Sequence, residues 1–170
     1  EKVFKNLKVK NIDLLDDNNQ EDELLSLGIT APEFEGFSFQ KNCTTTMEEM
    51  KNKLLLLDFW YIGCGACILS FPYLNSFYSK YSGLGLTVIG INYYDDYKAK
   101  KNILQKFIKT FQIEYPIIFT EKKVKELYNI KAYPSIFLIN KDGKILFSDS
   151  GFSKEQMDTL ELLIKKNIKY

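Results

Sequence analysis

Residues 53–67, KLLLLDFWYIGCGAC, constrain the fold more than any other stretch of the chain. Residues 54–60 are apolar apart from Asp58. The run is strand-sized and ends in aromatics, which favours a strand buried on both faces over a helix. The residues that follow, about 64–81, suit a helix, and Pro72 in its interior is expected to kink it. The two cysteines Cys64 and Cys67 therefore stand where a buried strand passes into a helix.

The rest of the chain continues the alternation. LTVIGINYY (86–94) reads as a second buried strand. Residues 95–111 read as an amphipathic helix, with Ile103, Phe107 and Phe111 on its buried stripe and lysines between them. YPIIFT (115–120) reads as a strand, EKKVKELYNI (121–130) as a helix, and 133–151 as two strands joined at Lys141-Asp142-Gly143. The last helix, 153–168, has Ser153 as N-cap, Gln156 completing a capping box, and Met157, Leu160, Leu163 and Ile164 as its buried stripe. Upstream, Gly28, Pro32 and Gly36 signal turns before a short strand at 37–39, and TTTMEEMKNK (44–53) reads as a short helix capped by Thr45 or Thr46. Residues 1–27 form an N-terminal extension in which 2–15 suit a strand and 16–23 a polar loop; residues 28–170 form the main domain. The order of elements implies an α/β layer fold, a central mixed sheet with helices on both faces.

Composition removes several function classes. The chain has 170 residues, enough for one domain with a full core, and a net charge of +1, so nothing points to a nucleic-acid partner. It contains no histidine and no arginine. Hydrolase triads that use an imidazole, histidine-ligated zinc and guanidinium clamps are excluded. No apolar run reaches the ~20 residues of a membrane span, and the first residue is Glu1 rather than Met, so a trimmed chain is expected.

Of three cysteines, two form the C-x-x-C and Cys43 stands apart. A four-ligand zinc site fails on counting, because one cysteine and no histidine remain to complete it. An inert buried pair is the other plain reading, but the position of Cys64 at a helix start favours a redox-active pair. Unpaired N–H groups and the positive helix end stabilise a thiolate there, lowering its pKa from about 8.5 toward roughly 7. Such a thiolate attacks disulfides. Cys67, one turn on, is placed to resolve the mixed disulfide, and Gly65 and Ala66 leave the sulfurs accessible. Asp58 lies among apolar neighbours, so burial should raise its pKa and suit it to accept the proton of Cys67, directly or through a water; exposure by strand alternation is the plainer alternative. Cys43, in the polar context KNCTTT, reads as an unpaired, semi-exposed thiol.

DFW followed by C-x-x-C, a proline five residues beyond the second cysteine, and Tyr133-Pro134 before an apolar strand and a K-D-G hairpin resemble the thioredoxin superfamily. The closer likeness is to TlpA/ResA-like thiol-disulfide oxidoreductases of the AhpC/TSA-related branch. APEFEGFSF resembles that branch's APxF opening and N-terminal hairpin, and 95–120 its inserted helix-strand unit. The resemblance covers about residues 28–165. It implies a thioredoxin-like fold in which Cys64 attacks, Cys67 resolves and Asp58 is the buried acid. It places Pro134 as the cis-proline opposite the site, and Trp60, Gly63, Gly65, Ala66, Tyr133 and Pro134 along the substrate surface. No metal or cofactor is implied. The implied partners are a disulfide-containing protein substrate and a thioredoxin-like or membrane electron donor, with a possible membrane tether outside this chain. The implied setting is extracytoplasmic: a soluble domain in a bacterial periplasm or cell envelope.

The sequence departs from the branch at four points. Gly63 replaces the usual Trp before the first cysteine, and the motif centre is Gly-Ala. Ser70 stands where Glu is common. The lysine that often partners the buried acid is absent, since VIGIN puts Ile89 and Gly90 in that region; Asp58 is therefore expected to titrate higher than usual. Two other functions compete: a binding or scaffold domain with a vestigial C-x-x-C, and a peroxiredoxin-type peroxidase. The peroxidase expects an Arg beside its cysteine and a Thr where this chain has Tyr61.

Overall fold

In the computed structural model, residues 24–50 and 52–168 are described. The strand and polar loop expected within 2–23 lie outside the described residues. Seven strands form one sheet, in chain order β1 (Glu35–Ser38), β2 (Cys43–Thr46), β3 (Leu54–Phe59), β4 (Leu86–Asn92), β5 (Ile117–Phe119), β6 (Ser135–Ile139) and β7 (Ile145–Ser150). The helices are α1 (Gly65–Tyr81), α2 (Tyr97–Thr110), α3 (Lys123–Leu127) and α4 (Lys154–Asn167), with short 3-10 turns at Met47–Met50 and Ser82–Leu84.

The spatial order is β2-β1-β5-β4-β3-β6-β7. β3, β4 and β5 run parallel, whereas β6 runs antiparallel to β3 and β1 antiparallel to β5. The expected mixed sheet is present, and β3 is an interior strand, buried at every residue. Alternation divides its side chains between two cores. Leu54, Leu56 and Trp60 join the α1, α2 and α4 side, with Cys64, Cys67 and Phe71. Leu55, Leu57 and Phe59 join the opposite core with Met47, Val124 and Tyr128.

Local expectations were met unevenly. Ser153 caps α4 with its capping box to Gln156, and the 141–143 turn joins β6 to β7. α1 runs through Pro72 as one helix. The threonines expected to cap a helix instead form β2, where Thr44 pairs with Phe37; β-branched residues suit a pleated edge, and only the short 3-10 turn follows. Thr45 donates its hydroxyl to Glu49 at 2.8 Å. In α2 the buried residue is Leu104, and Ile103 is 57% exposed. The stripe is Leu104, Phe107 and Phe111, which fits helical spacing as well as the expected set did.

Candidate active site

Cys64 is the N-cap of α1, with extended backbone (φ −73°, ψ 100°), and its Sγ accepts the N–H of Cys67 at 3.2 Å. That N–H would otherwise lack a partner within the helix, so the sulfur sits on a real donor at the positive end of the helix. Cys64 and Cys67 are joined as a disulfide with Cα atoms 5.3 Å apart. The sulfurs are more enclosed than small Gly65 and Ala66 imply. Cys64 is 4% exposed and Cys67 is fully buried, so an incoming group meets Cys64 first. Ser70, also buried, donates its hydroxyl to the Cys67 carbonyl at 2.8 Å. Cys43 is free and exposed, on the edge strand β2.

Gly63 is exposed, with φ +90°, a backbone conformation strained for any side chain. A Trp cannot take this place without strain. Tyrosines supply aromatic surface beside the site instead. The ring of Tyr61 lies 4.8 Å from Tyr94 and 4.9 Å from Tyr133, and Tyr94 is 59% exposed. The hydroxyls of Tyr93 and Tyr133 are hydrogen-bonded. The Tyr133-Pro134 bond is cis. Because Ser135 pairs with Phe59 across β6 and β3, this loop stands beside the end of the strand that leads to Cys64. Trp60 requires a correction. It was expected on the substrate surface, but it is wholly buried, stacked on Phe107 at 5.6 Å and edge-on to Phe71 at 5.8 Å. It belongs to the same buried core as the two cysteines.

Asp58 is fully buried, and its place between Leu56 and Trp60 on β3 turns it toward the face that carries Cys67. Its Oδ2 accepts the Tyr115 hydroxyl at 2.8 Å; Oδ1 has no hydrogen-bond partner among the described residues. Burial pushes the carboxyl up to about 7, against the Tyr115 hydrogen bond, which pulls it down. The phenol of Tyr115 is itself raised by burial and by the neighbouring carboxylate. Sequence reasoning missed Tyr115, which stands 57 residues away in a segment with no motif.

Gly90 pairs with Asp58 across β3 and β4. A Cβ there would come within 2.8 Å of Trp60 Nε1 and 3.2 Å of Tyr115 Cε2. The sheet thus has no room for a side chain at this point unless the two rings shift. Gly90→Ala should destabilise the fold by about 1–3 kcal/mol, since both neighbours are fully buried rings with little freedom to retreat. Urea unfolding measures this; an unchanged midpoint would contradict the packing.

Asp95 is a second missed residue. Its carboxylate accepts the Ile62 N–H at 2.8 Å and the Lys100 ammonium at 2.9 Å. The available signal was its place just past the carboxyl end of a parallel strand, where sites gather in such sheets.

Comparison with known proteins agrees with this geometry. The Redoxin family profile matches residues 27–163. A thiol-disulfide oxidoreductase ResA of Bacillus cereus is 29% identical over 138 residues, covering 80% of this chain and 77% of its own. The ResA of Bacillus subtilis is 28% identical over 112 residues, 65% of this chain and 60% of its own length. A crystal structure of a thiol:disulfide interchange protein DsbE from Chlorobium tepidum superposes with a TM-score of 0.76 at 29% identity, covering 85% of this chain and 99% of that one. Through the Redoxin match over most of its length, the ResA similarity and the shared architecture, this chain belongs to the Redoxin family, as a TlpA/ResA-like member of the thioredoxin superfamily.

Proposed function

We propose that this chain, a thiol-disulfide oxidoreductase, acts as a reductase of disulfides in exported proteins. The observation that carries the reading is the sulfur of Cys64 at the start of α1, receiving the Cys67 N–H and bonded to the Cys67 sulfur. In the reduced protein the same donor stabilises a Cys64 thiolate. The thiolate attacks one sulfur of a substrate disulfide, forming a mixed disulfide and releasing the first substrate thiolate, which takes a proton from solvent. Cys67 then loses its proton to Asp58, directly or through a water. Its thiolate attacks the Cys64 sulfur, the Cys64–Cys67 disulfide forms, and the second substrate thiolate leaves. Two electrons have moved from the protein dithiol to the substrate, and an external dithiol donor restores them.

The absence of histidine near the motif supports a moderate or reducing potential, because strongly oxidising relatives stabilise the thiolate further. Likeness to ResA and DsbE supports an extracytoplasmic setting in a bacterial cell envelope. No helix among the described residues is long and apolar enough to cross a membrane. The donor we favour is a thioredoxin-like or membrane dithiol protein, and the substrate contacts we favour are Gly63, Gly65, Ala66, Tyr133 and Pro134. Reduction of a small protein disulfide such as insulin, with dithiothreitol as terminal reductant, tests the reading. Catalysis well above dithiothreitol alone supports it. A disulfide that never cycles overturns it and leaves a binding domain with a vestigial pair.

A further inference from the structure

The segment that delivers Cys64 is pinned from one side by a buried carboxylate. Asp95, three residues beyond the end of β4, is 6% exposed. Its Oδ2 accepts the Ile62 N–H at 2.8 Å and the Asn92 amide at 3.0 Å. Its Oδ1 accepts the Lys100 ammonium at 2.9 Å. Asn92, fully buried, accepts the N–H groups of Tyr94 and Asp95 at 3.1 and 2.9 Å, so the acid is held from both sides. Lys100 reaches it from within α2, where its own backbone leaves helical geometry (φ −110°, ψ 15°) while still donating its N–H to the Asp96 carbonyl.

The chain between this clamp and the nucleophile is one residue, Gly63. Glycine restrains the backbone least of all residues. Cys64 is held by its own helix and by its N–H, which donates to the Tyr61 carbonyl at 3.3 Å, but Gly63 leaves conformational freedom in the chain between them. The Ile62–Asp95 hydrogen bond removes that freedom. It also places a carboxylate on the backbone two residues before a group that must become a thiolate, and the Lys100 ammonium pairs with that carboxylate at 2.9 Å.

We propose that Asp95 is a positioning residue for Cys64, acting through Ile62 and Gly63, and that Lys100 keeps its charge from opposing the thiolate. This inference rests on the reading that Cys64 attacks disulfides. Asp96 and Tyr94 are the other titratable groups whose charge acts on Lys100.

The test uses the full chain carrying Cys43→Ser, reduced, with three variants. Asp95→Ala removes clamp and charge; Asp95→Asn keeps an acceptor for Ile62; Lys100→Gln leaves the clamp and unbalances the charge. Readouts are the rate of mixed-disulfide formation with insulin, the pH profile of Cys64 alkylation by iodoacetamide, and the thermal midpoint. Asp95→Ala is expected to slow mixed-disulfide formation about tenfold and Asp95→Asn to retain the rate. Lys100→Gln is expected to raise the alkylation midpoint by about half a pH unit, roughly threefold less thiolate at pH 7. A lower thermal midpoint with parental rates and pH profiles would make Asp95 a strap for the fold alone and overturn the proposal. If Asp95→Ala does not fold, a parental pH profile in Lys100→Gln overturns it equally, and a raised midpoint upholds it. The parent separates the two claims: a parent that does not cycle fails the reductase reading, whereas a cycling parent with unshifted variants fails this inference only.

Discussion

Cys67→Ser protein is expected to become a covalent trap. Its Cys64 still attacks a substrate disulfide, because the N-cap position and the backbone N–H at residue 67 do not depend on the side chain there. The second step is lost, since a serine hydroxyl does not displace a disulfide at neutral pH. Turnover should disappear, and a mixed disulfide with insulin should accumulate, visible by mass spectrometry and released by dithiothreitol. The reciprocal Cys64→Ser should form no adduct. Cys67 is fully buried and Cys64 retains a small exposed edge, so the two sulfurs are not interchangeable. Equal trapping by both variants would contradict the assignment of attacker and resolver.

Asp58→Asn should move stability and catalysis in opposite directions. The carboxyl is raised from 3.8 to about 7 in the folded protein. Between those values the unfolded chain is ionised while the folded protein holds the proton, so stability falls as pH rises through this window. At about 1.4 kcal/mol per unit, the loss is roughly 4 kcal/mol by pH 8. Removing the charge removes that loss. An asparagine can still accept from Tyr115, but its amide donors enter a site with no acceptor in place, which costs about 1–3 kcal/mol. The variant should therefore be more stable than the parent at pH 8 by about 1–3 kcal/mol and less stable at pH 4, with a flatter pH dependence between. Resolution of the mixed disulfide should slow by about 10²-fold, because Cys67 has lost its proton acceptor. Urea melts at the two pH values and single-turnover kinetics check both halves. A parent with equal stability at pH 4 and pH 8 would remove the buried-acid account.

How much of this was legible in the sequence depended on the range of the signal. The junction of β3 and α1 was readable because an apolar run, a C-x-x-C and a helical pattern are contiguous. The same holds for the Ser153 cap and the 141–143 turn, which are short-range. Asp58 was readable as buried from its neighbours in sequence. Its partner was not, because Tyr115 meets it only through the parallel pairing of β3, β4 and β5, and nothing around residue 115 announces a contact. Gly90 showed only that a lysine was missing; that two rings fill its space is a fact of packing. Trp60 was misplaced because motif adjacency does not say which way a side chain turns at the end of a strand. The α2 stripe slipped by one residue because Ile103 and Leu104 both fit a helical period, and only the neighbouring layer chooses between them. The resemblance implied an N-terminal hairpin, which β1 and β2 form, but Thr44–Thr46 were misread as a helix cap because threonines serve helix caps and strands alike.

The most direct test of the central claim is the reduction potential of the Cys64–Cys67 pair, measured in Cys43→Ser protein equilibrated with dithiothreitol and glutathione buffers. The account predicts a reversible two-electron couple at or below about −230 mV. A couple near about −120 mV would reverse the direction of electron flow and contradict the reductase, and a pair that does not equilibrate at all would remove the enzyme.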